Sequence, residues 1–292
     1  MLENPNNDRK KIAVISDIHS NYKALEAFLA FLEDHPVDGI LCLGDYVTDG
    51  PYPSRTLALI HKIQERWPSY LLRGNREDYL LENLDNHLGW KPSSNTGALL
   101  YTLHHLSEEE LQFLGSLPTE QEVVIEGCPA LYICHGVPGR VRGNVLTEQG
   151  LRDRVLSELS GRYLLGGHSH HQEIYCKGEK TYINPGSLGL AVDGVGRRAQ
   201  FAVLTGNSWE WQTEFFSISY DVDGYLKEFK ESGVEEMGMT LSKAAQKNLV
   251  TGVNYFYLCV MEVMGEAARM GTRDFGQVPE SFWKQLEDEF EL

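Results

Sequence analysis

Five stretches of this 292-residue sequence place cation-holding residue types at the ends of apolar runs: Asp17-Ile18-His19, Gly44-Asp45, Gly74-Asn75, His135-Gly136 and Gly167-His168-Ser169-His170. Carboxylate, imidazole and amide oxygen are hard or borderline donors. In Ile40-Leu41-Cys42-Leu43-Gly44-Asp45 a buried strand would deliver one carboxylate to its carboxyl-terminal edge, where ligands sit in open α/β sheets. Asp17 and His19 lie two apart after an apolar run, and an extended backbone would set both on one side. His168 and His170 repeat that spacing behind Gly166-Gly167, while the adjacent His171 would point elsewhere. Asn75 offers an amide oxygen that adds no charge. Each stretch also has a plainer reading: a helix start at Asp17, a turn at Gly44-Asp45, a turn at Asn75, a structural histidine at His135, a polar loop at 168–170. Their joint occurrence at the strand ends of one edge favours a site for two divalent cations, with Asp45 bridging them.

The elements that must position these residues follow from periodicity. Residues 12–16, 39–43 and 69–73 read as strands, alternating with helices after Asn21 and over 54–66, so parallel strands with right-handed crossovers are expected. Residues 76–115 read as helical, with a Ser107-to-Glu110 capping box near the end. Two strands, 121–126 and 130–134, flank the Gly127-Cys128-Pro129 turn, then come a helix over 151–159 and a strand over 163–165. Short runs at 173–176, 180–183, 200–204 and 208–216 read as antiparallel hairpins forming a second sheet packed on the first. Beyond 217 the pattern is helical: 221–231, 242–270 with interruptions at Gly252 and Gly265, and 280–290. The expected division is a core over 1–217 and a helical extension over 218–292, which packs as a lid or stands apart. Tyr255, Phe256, Tyr257, Phe282 and Trp283 read as packing residues of that extension, or as a wall over the site.

The ordered series Asp17-x-His19, Gly44-Asp45, Gly74-Asn75, His135-Gly136, Gly167-His168-x-His170 resembles the calcineurin-like metallophosphoesterases, and the resemblance covers about residues 12–190, including the Asn184-Pro185-Gly186-Ser187 turn. It implies an α/β fold, a four-layer αββα sandwich of two mixed sheets flanked by helices. It also implies that Asp17, His19, Asp45 and His170 hold one metal, and Asp45, Asn75, His135 and His168 the other. Two cations about 3.5–4 Å apart can clamp phosphate oxygens and lower the pKa of a bridging water, whose hydroxide attacks phosphorus in line. Mn, Fe, Co, Ni or Zn suit such donors, with Mn(II) the first expectation.

Two positions depart from the family pattern. Many members carry His after Gly-Asn, where this chain has Arg76, followed by Glu77. The protein phosphatases read Gly-Asp-x-x-Asp-Arg-Gly, where this chain has Thr48 and Asp49. A guanidinium can grip phosphate but cannot donate a proton at neutral pH, so Arg76 is expected to contact phosphate without acting as an acid. His104 and His105, in a helical run, would then be the alternative proton donors, or else structural. The expectation is a phosphodiester or activated phosphomonoester hydrolase. The alternatives are a dinucleoside polyphosphate hydrolase and, from another class, a metal-binding scaffold without turnover.

A net charge of −16 argues against nucleic acid polymers and anionic membranes as partners and leaves a small phosphorylated substrate. Oligomeric state is not encoded in any of these features. Five cysteines without CxxC spacing suggest reduced thiols, and the polar residues 1–11 lack the apolar core of a signal peptide, so a cytoplasmic protein is expected.

Overall fold

The computed structural model describes residues 9–292. Along the chain come β1 (Lys10–Ile15), α1 (Tyr22–Asp34), β2 (Gly39–Cys42), α2 (Pro53–Arg66), β3 (Ser69–Leu71), α3 (Asn75–Glu82), α4 (Gly97–His104) and α5 (Glu108–Ser116). Then follow β4 (Glu120–Val123), β5 (Leu131–Cys134), α6 (Leu151–Glu158), β6 (Tyr163–Leu165), β7 (Gln172–Lys177), β8 (Lys180–Pro185), β9 (Arg198–Gly206) and β10 (Trp211–Ser219). Four helices close the chain: α7 (Val222–Glu231), α8 (Val234–Thr251), α9 (Tyr255–Arg269) and α10 (Glu280–Glu289).

Strand alternation builds four layers. In β1, Ile12 and Val14 face a core shared with Leu131 and Ile133 of β5 and Tyr163 and Leu165 of β6, so this is the seam between two sheets. Ala13 and Ile15 face the other way, onto Leu25 and Phe28 of α1 and Leu57, Ile60 and Ile63 of α2. On the far side, Cys134, Leu164 and Tyr182 pack under Leu151 and Leu156 of α6. Helix starts match their sequence signals: Asn21 accepts a hydrogen bond from Ala24 N, and Ser107 and Glu110 form the reciprocal cap of α5.

The first sheet has the order β10-β9-β1-β2-β3 and the second β4-β5-β6-β8-β7. β1, β2 and β3 are parallel, as are β5, β6 and β8. One expectation is corrected here. The β9–β10 hairpin joins the first sheet, pairing with β1 along Lys10↔Gly206 to Val14↔Ala202, and only β7–β8 joins the second. Two hairpins with similar alternation carry no sequence mark of which sheet edge they will meet. The helical stretch after Arg76 is several short pieces, and α9 runs through Gly265 without a break.

The helices after residue 219 share the core of the first sheet: Val222, Tyr225, Phe229, Val234, Ala245 and Leu249 lie in one buried cluster with α1 and α2. A second cluster, with Cys259, Val263, Trp283 and Leu286, holds α8, α9 and α10 together. Trp283 is buried, whereas Tyr257 lies on the surface, contrary to its reading as a packing residue. No helix among the described residues is long and apolar enough to cross a membrane.

The approach of α8 to α4 is close enough that a Cβ at Gly97 would overlap the Met237 carbonyl. Gly97→Ala should therefore cost about 1–3 kcal/mol of unfolding free energy and lower the urea midpoint of the whole chain in a single cooperative transition. An early separate transition would show that the C-terminal helices unfold by themselves.

Candidate metal centre

The donors lie just beyond the carboxyl ends of β1, β2, β3, β5 and β6, Asn75 as the first residue of α3 and the others on loops. Backbone bonds tie these loops together: Asp17 N donates to Gly44 O (3.0 Å), His19 N to Asp45 O (3.0 Å) and Gly167 N to His135 O (2.7 Å). The Asn184–Ser187 turn braces two of them, since Asn184 Nδ2 donates to Gly167 O (2.7 Å) and Ser187 Oγ to Asp17 O (2.7 Å).

Two groups of three donors result, Asp17-His19-His170 and Asp45-His135-His168, each with its ligand atoms within 4.8 Å of one another. Asn75 Oδ1 joins the second, 3.1 Å from His135 Nε2. Between the groups lies Asp45, whose Oδ2 is 3.8 Å from His19 Nε2 and 3.4 Å from His135 Nε2. All seven sequence-predicted donors thus converge. The route differs from the expectation of an extended backbone. Asp17, His19, Asp45, His168 and His170 all have φ between 49° and 63°, the left-handed region. Asp and His tolerate that region better than most residues, though at about 1–2 kcal/mol each.

The donor set fits cations. His135 Nδ1 donates to Leu43 O (2.7 Å) and His170 Nδ1 to Leu190 O (2.9 Å), and a carbonyl can only accept, so each Nδ1 carries the proton. His19 Nδ1 does the same toward Asp49 Oδ2 (3.1 Å). The Nε2 lone pairs are thereby turned into the cleft, and those of His19 and His170 stand 3.2 Å apart. Two lone pairs at that distance repel unless a cation or proton lies between them.

Electrostatics agree. Burial opposes the charge on Asp45, yet His135, foremost among its neighbours, holds its carboxyl well below the usual range. Burial likewise opposes ionisation of Asp17, and His170 followed by His135 brings it down to about 2. His135 is itself pushed up to about 10: burial disfavours its charge, but Asp45 and then Asp17 outweigh it. His168 goes the other way, to about 4, through burial and the neighbouring His135.

Two residues complete the site beyond those read as donors. Glu77, fully buried, accepts from Gly74 N (2.7 Å), Asp45 N (2.9 Å), Tyr46 N (2.8 Å) and Val47 N (3.3 Å), locking the Asp45 loop to the start of α3. Its sequence signal is its place three residues after the Gly that opens a helix. Gly74 itself is required, because a Cβ there would strike the Asp45 carboxylate. Asp49 receives Arg76 Nη2 (2.9 Å) and Thr48 Oγ1 (3.0 Å) in addition to His19. Two of the positions where the chain departs from the resemblance's pattern, Asp49 and Arg76, are thus paired with each other. His104 and His105 are exposed, and His105 stacks on Tyr101 with its Nδ1 on the Tyr101 carbonyl. His171 is exposed, as expected.

Fold and site together define a phosphoesterase-type scaffold with two groups of candidate metal-binding residues, and comparison with known proteins agrees. The calcineurin-like phosphoesterase superfamily domain matches residues 11–208. An uncharacterized protein of Methanocaldococcus jannaschii is 31% identical over 254 residues, 80% of this chain and 98% of that one. The crystal structure of a metallophosphoesterase from Sphaerobacter thermophilus superposes with a TM-score of 0.65 at 24% identity, covering 83% of this chain and all of that one. A hypothetical protein from Pyrococcus horikoshii does so with a TM-score of 0.70 at 22% identity, covering 83% and 98%. This chain belongs to the calcineurin-like phosphoesterase superfamily.

Two outcomes test the centre without reference to turnover. Glu77→Gln leaves an amide among four N–H donors and should cost about 1–3 kcal/mol of stability by urea unfolding. The second is a pH profile. The pKa of His135 is raised from 6.5 to about 10 on folding, so its stabilisation is present below 6.5 and lost as pH rises through 10. Protein stripped of divalent cations should accordingly show a Tm falling over that range, and added Mn2+ should reverse the fall, because cations bind the deprotonated imidazoles. A Tm indifferent to both would contradict the assignment.

Proposed function

We propose that the chain is a dinuclear-metal phosphohydrolase. Asp17, His19, Asp45 and His170 hold one divalent cation, and Asp45, Asn75, His135 and His168 the other, with Mn(II) the preferred ion. The observation that carries this reading is the position of Asp45 Oδ2 between His19 Nε2 and His135 Nε2, at 3.8 Å and 3.4 Å, where one carboxylate serves both donor groups. When bound, the two ions supply Lewis acidity and an activated water for attack on phosphorus.

The chain's own residues do the rest. Asp49 fixes the His19 ring by accepting its Nδ1 proton, which keeps Nε2 free as a donor atom. Arg76 stands beside the bridging carboxylate, with its backbone N donating to Asp45 Oδ1 (2.8 Å), and its guanidinium binds a phosphate oxygen. It cannot protonate a leaving alkoxide. Substrates that part as stable anions are therefore favoured: phosphodiesters, aryl phosphates and phosphoanhydrides over alkyl monoesters such as phosphoserine. A small phosphorylated molecule suits a chain of net charge −16 better than a nucleic acid polymer does.

Turnover of p-nitrophenyl phosphate, its bis ester, a dinucleoside polyphosphate and a phosphopeptide should be abolished by chelation and restored by Mn2+. The bis ester or the anhydride should be preferred. Asp45→Asn should cost more than the roughly 10–100-fold expected of residues behind a metal ligand. Preferred hydrolysis of the phosphopeptide would refute the leaving-group argument, and full activity of Asp45→Asn would refute the bridging role.

A further inference from the structure

The C-terminal helices reach the site at two places. Tyr225 of α7 sets its hydroxyl against Gly50, the residue after Asp49, so closely that a Cβ at Gly50 would overlap it. Phe256 of α9 lies under Arg76, with the guanidinium carbon 5.1 Å from the ring centroid. Tyr79 of α3 provides a second ring at 5.9 Å. Phe256 belongs to the packing of both the first-sheet core and the C-terminal cluster. Its place is fixed by the start of α9: Asn248 Oδ1 accepts from Tyr255 N (2.6 Å) and Phe256 N (3.3 Å), and Asn254 Oδ1 caps Tyr257 N (3.0 Å).

We propose that Phe256 is a positioning residue for substrate phosphate, acting through Arg76, so that the helical segment after residue 219 forms part of the active site. This rests on the reading of the site as a phosphohydrolase. Arg76 has one edge taken by Asp49 at 2.9 Å and its backbone tied to Asp45 at 2.8 Å. With Arg76 Cζ over the Phe256 ring at 5.1 Å, the ring restricts the guanidinium further. With its side chain only 16% exposed, Arg76 can turn its free N–H groups to a phosphate oxygen without losing rotamer freedom at each encounter. An aromatic face is needed for this, since an aliphatic side chain of similar size has no quadrupole to hold the cation.

The test is a cycle among Phe256→Leu, Phe256→Tyr, Arg76→Ala and the double variant Phe256→Leu/Arg76→Ala, using full-length Mn-loaded protein. Two quantities are read: kcat and KM on bis(p-nitrophenyl) phosphate, and the Kd of inorganic phosphate by calorimetry. Phe256→Leu should raise both KM and phosphate Kd about tenfold, the scale of a desolvated cation–π contact. It should leave Mn2+ affinity and kcat nearly unchanged, and Phe256→Tyr should restore the wild-type values. In the Arg76→Ala background the Phe256→Leu change should cost nothing further. Met264→Ala, on the exposed side of α9, serves as the unchanged control. Wild-type phosphate Kd in Phe256→Leu, or an undiminished loss in the Arg76→Ala background, overturns the proposal while leaving the hydrolase reading intact. Phosphate binding that follows the cycle in a protein without turnover sustains the proposal and refutes the hydrolase reading.

Discussion

The structure depends on one arrangement that is unfavourable without cations: three carboxylates and four imidazoles gathered at the seam between two sheets. Asp17, Asp45 and His135 are almost fully shielded from water, and His19 and Asp49 nearly so. Anions this close repel, and lone pairs such as those of His19 and His170 repel as well. Protons or cations must therefore balance the cluster, and the opposed pKa shifts of His135 and His168 reflect that tension. A pair of divalent cations would relieve both repulsions at once, which is why the donor geometry carries more functional information than any single residue.

Holding such a cluster requires rigid supports, and these lie outside the donor set. Glu77 gathers four backbone N–H groups from two loops, and the Asn184–Ser187 turn ties the Asp17 loop to the Gly167 loop. The left-handed backbone at five donor positions is strained, and strain persists only where the surroundings over-determine it. Folding energy from the packed seam is thus stored locally as pre-organisation of the cleft.

The Arg76–Asp49 pair shows how a charged contact can be reassigned within one scaffold. Asp49 serves His19 on one side and the Arg76 guanidinium on the other, so the Asp17-His19-His170 group and Arg76 share a carboxylate. The C-terminal helices enter the same arrangement through Phe256, which links their packing to the geometry of the cleft. An appended segment that shares a hydrophobic core with the sheet beneath it transmits its position to whatever that sheet holds.

Much of this was written in local patterns. Strand and helix periods, the cap at Asn21, the Ser107–Glu110 box and the ordered series of Asp, Asn and His at strand ends were readable because each signal spans only a few residues. The order of that series was enough to point to the family and to the seven residues that converge at the seam. What the sequence could not decide were relations between distant segments. The β9–β10 hairpin joined the first sheet by pairing β9 antiparallel along the edge of β1, a choice its own alternation does not contain. Asp17 and His19 converge through left-handed turns that no periodicity announces. The pairing of Arg76 with Asp49, twenty-seven residues earlier, and the stacking of Arg76 on Phe256, far along the chain, exist only in the folded protein. Type and spacing determine which chemistry is available, whereas tertiary packing determines which charges meet.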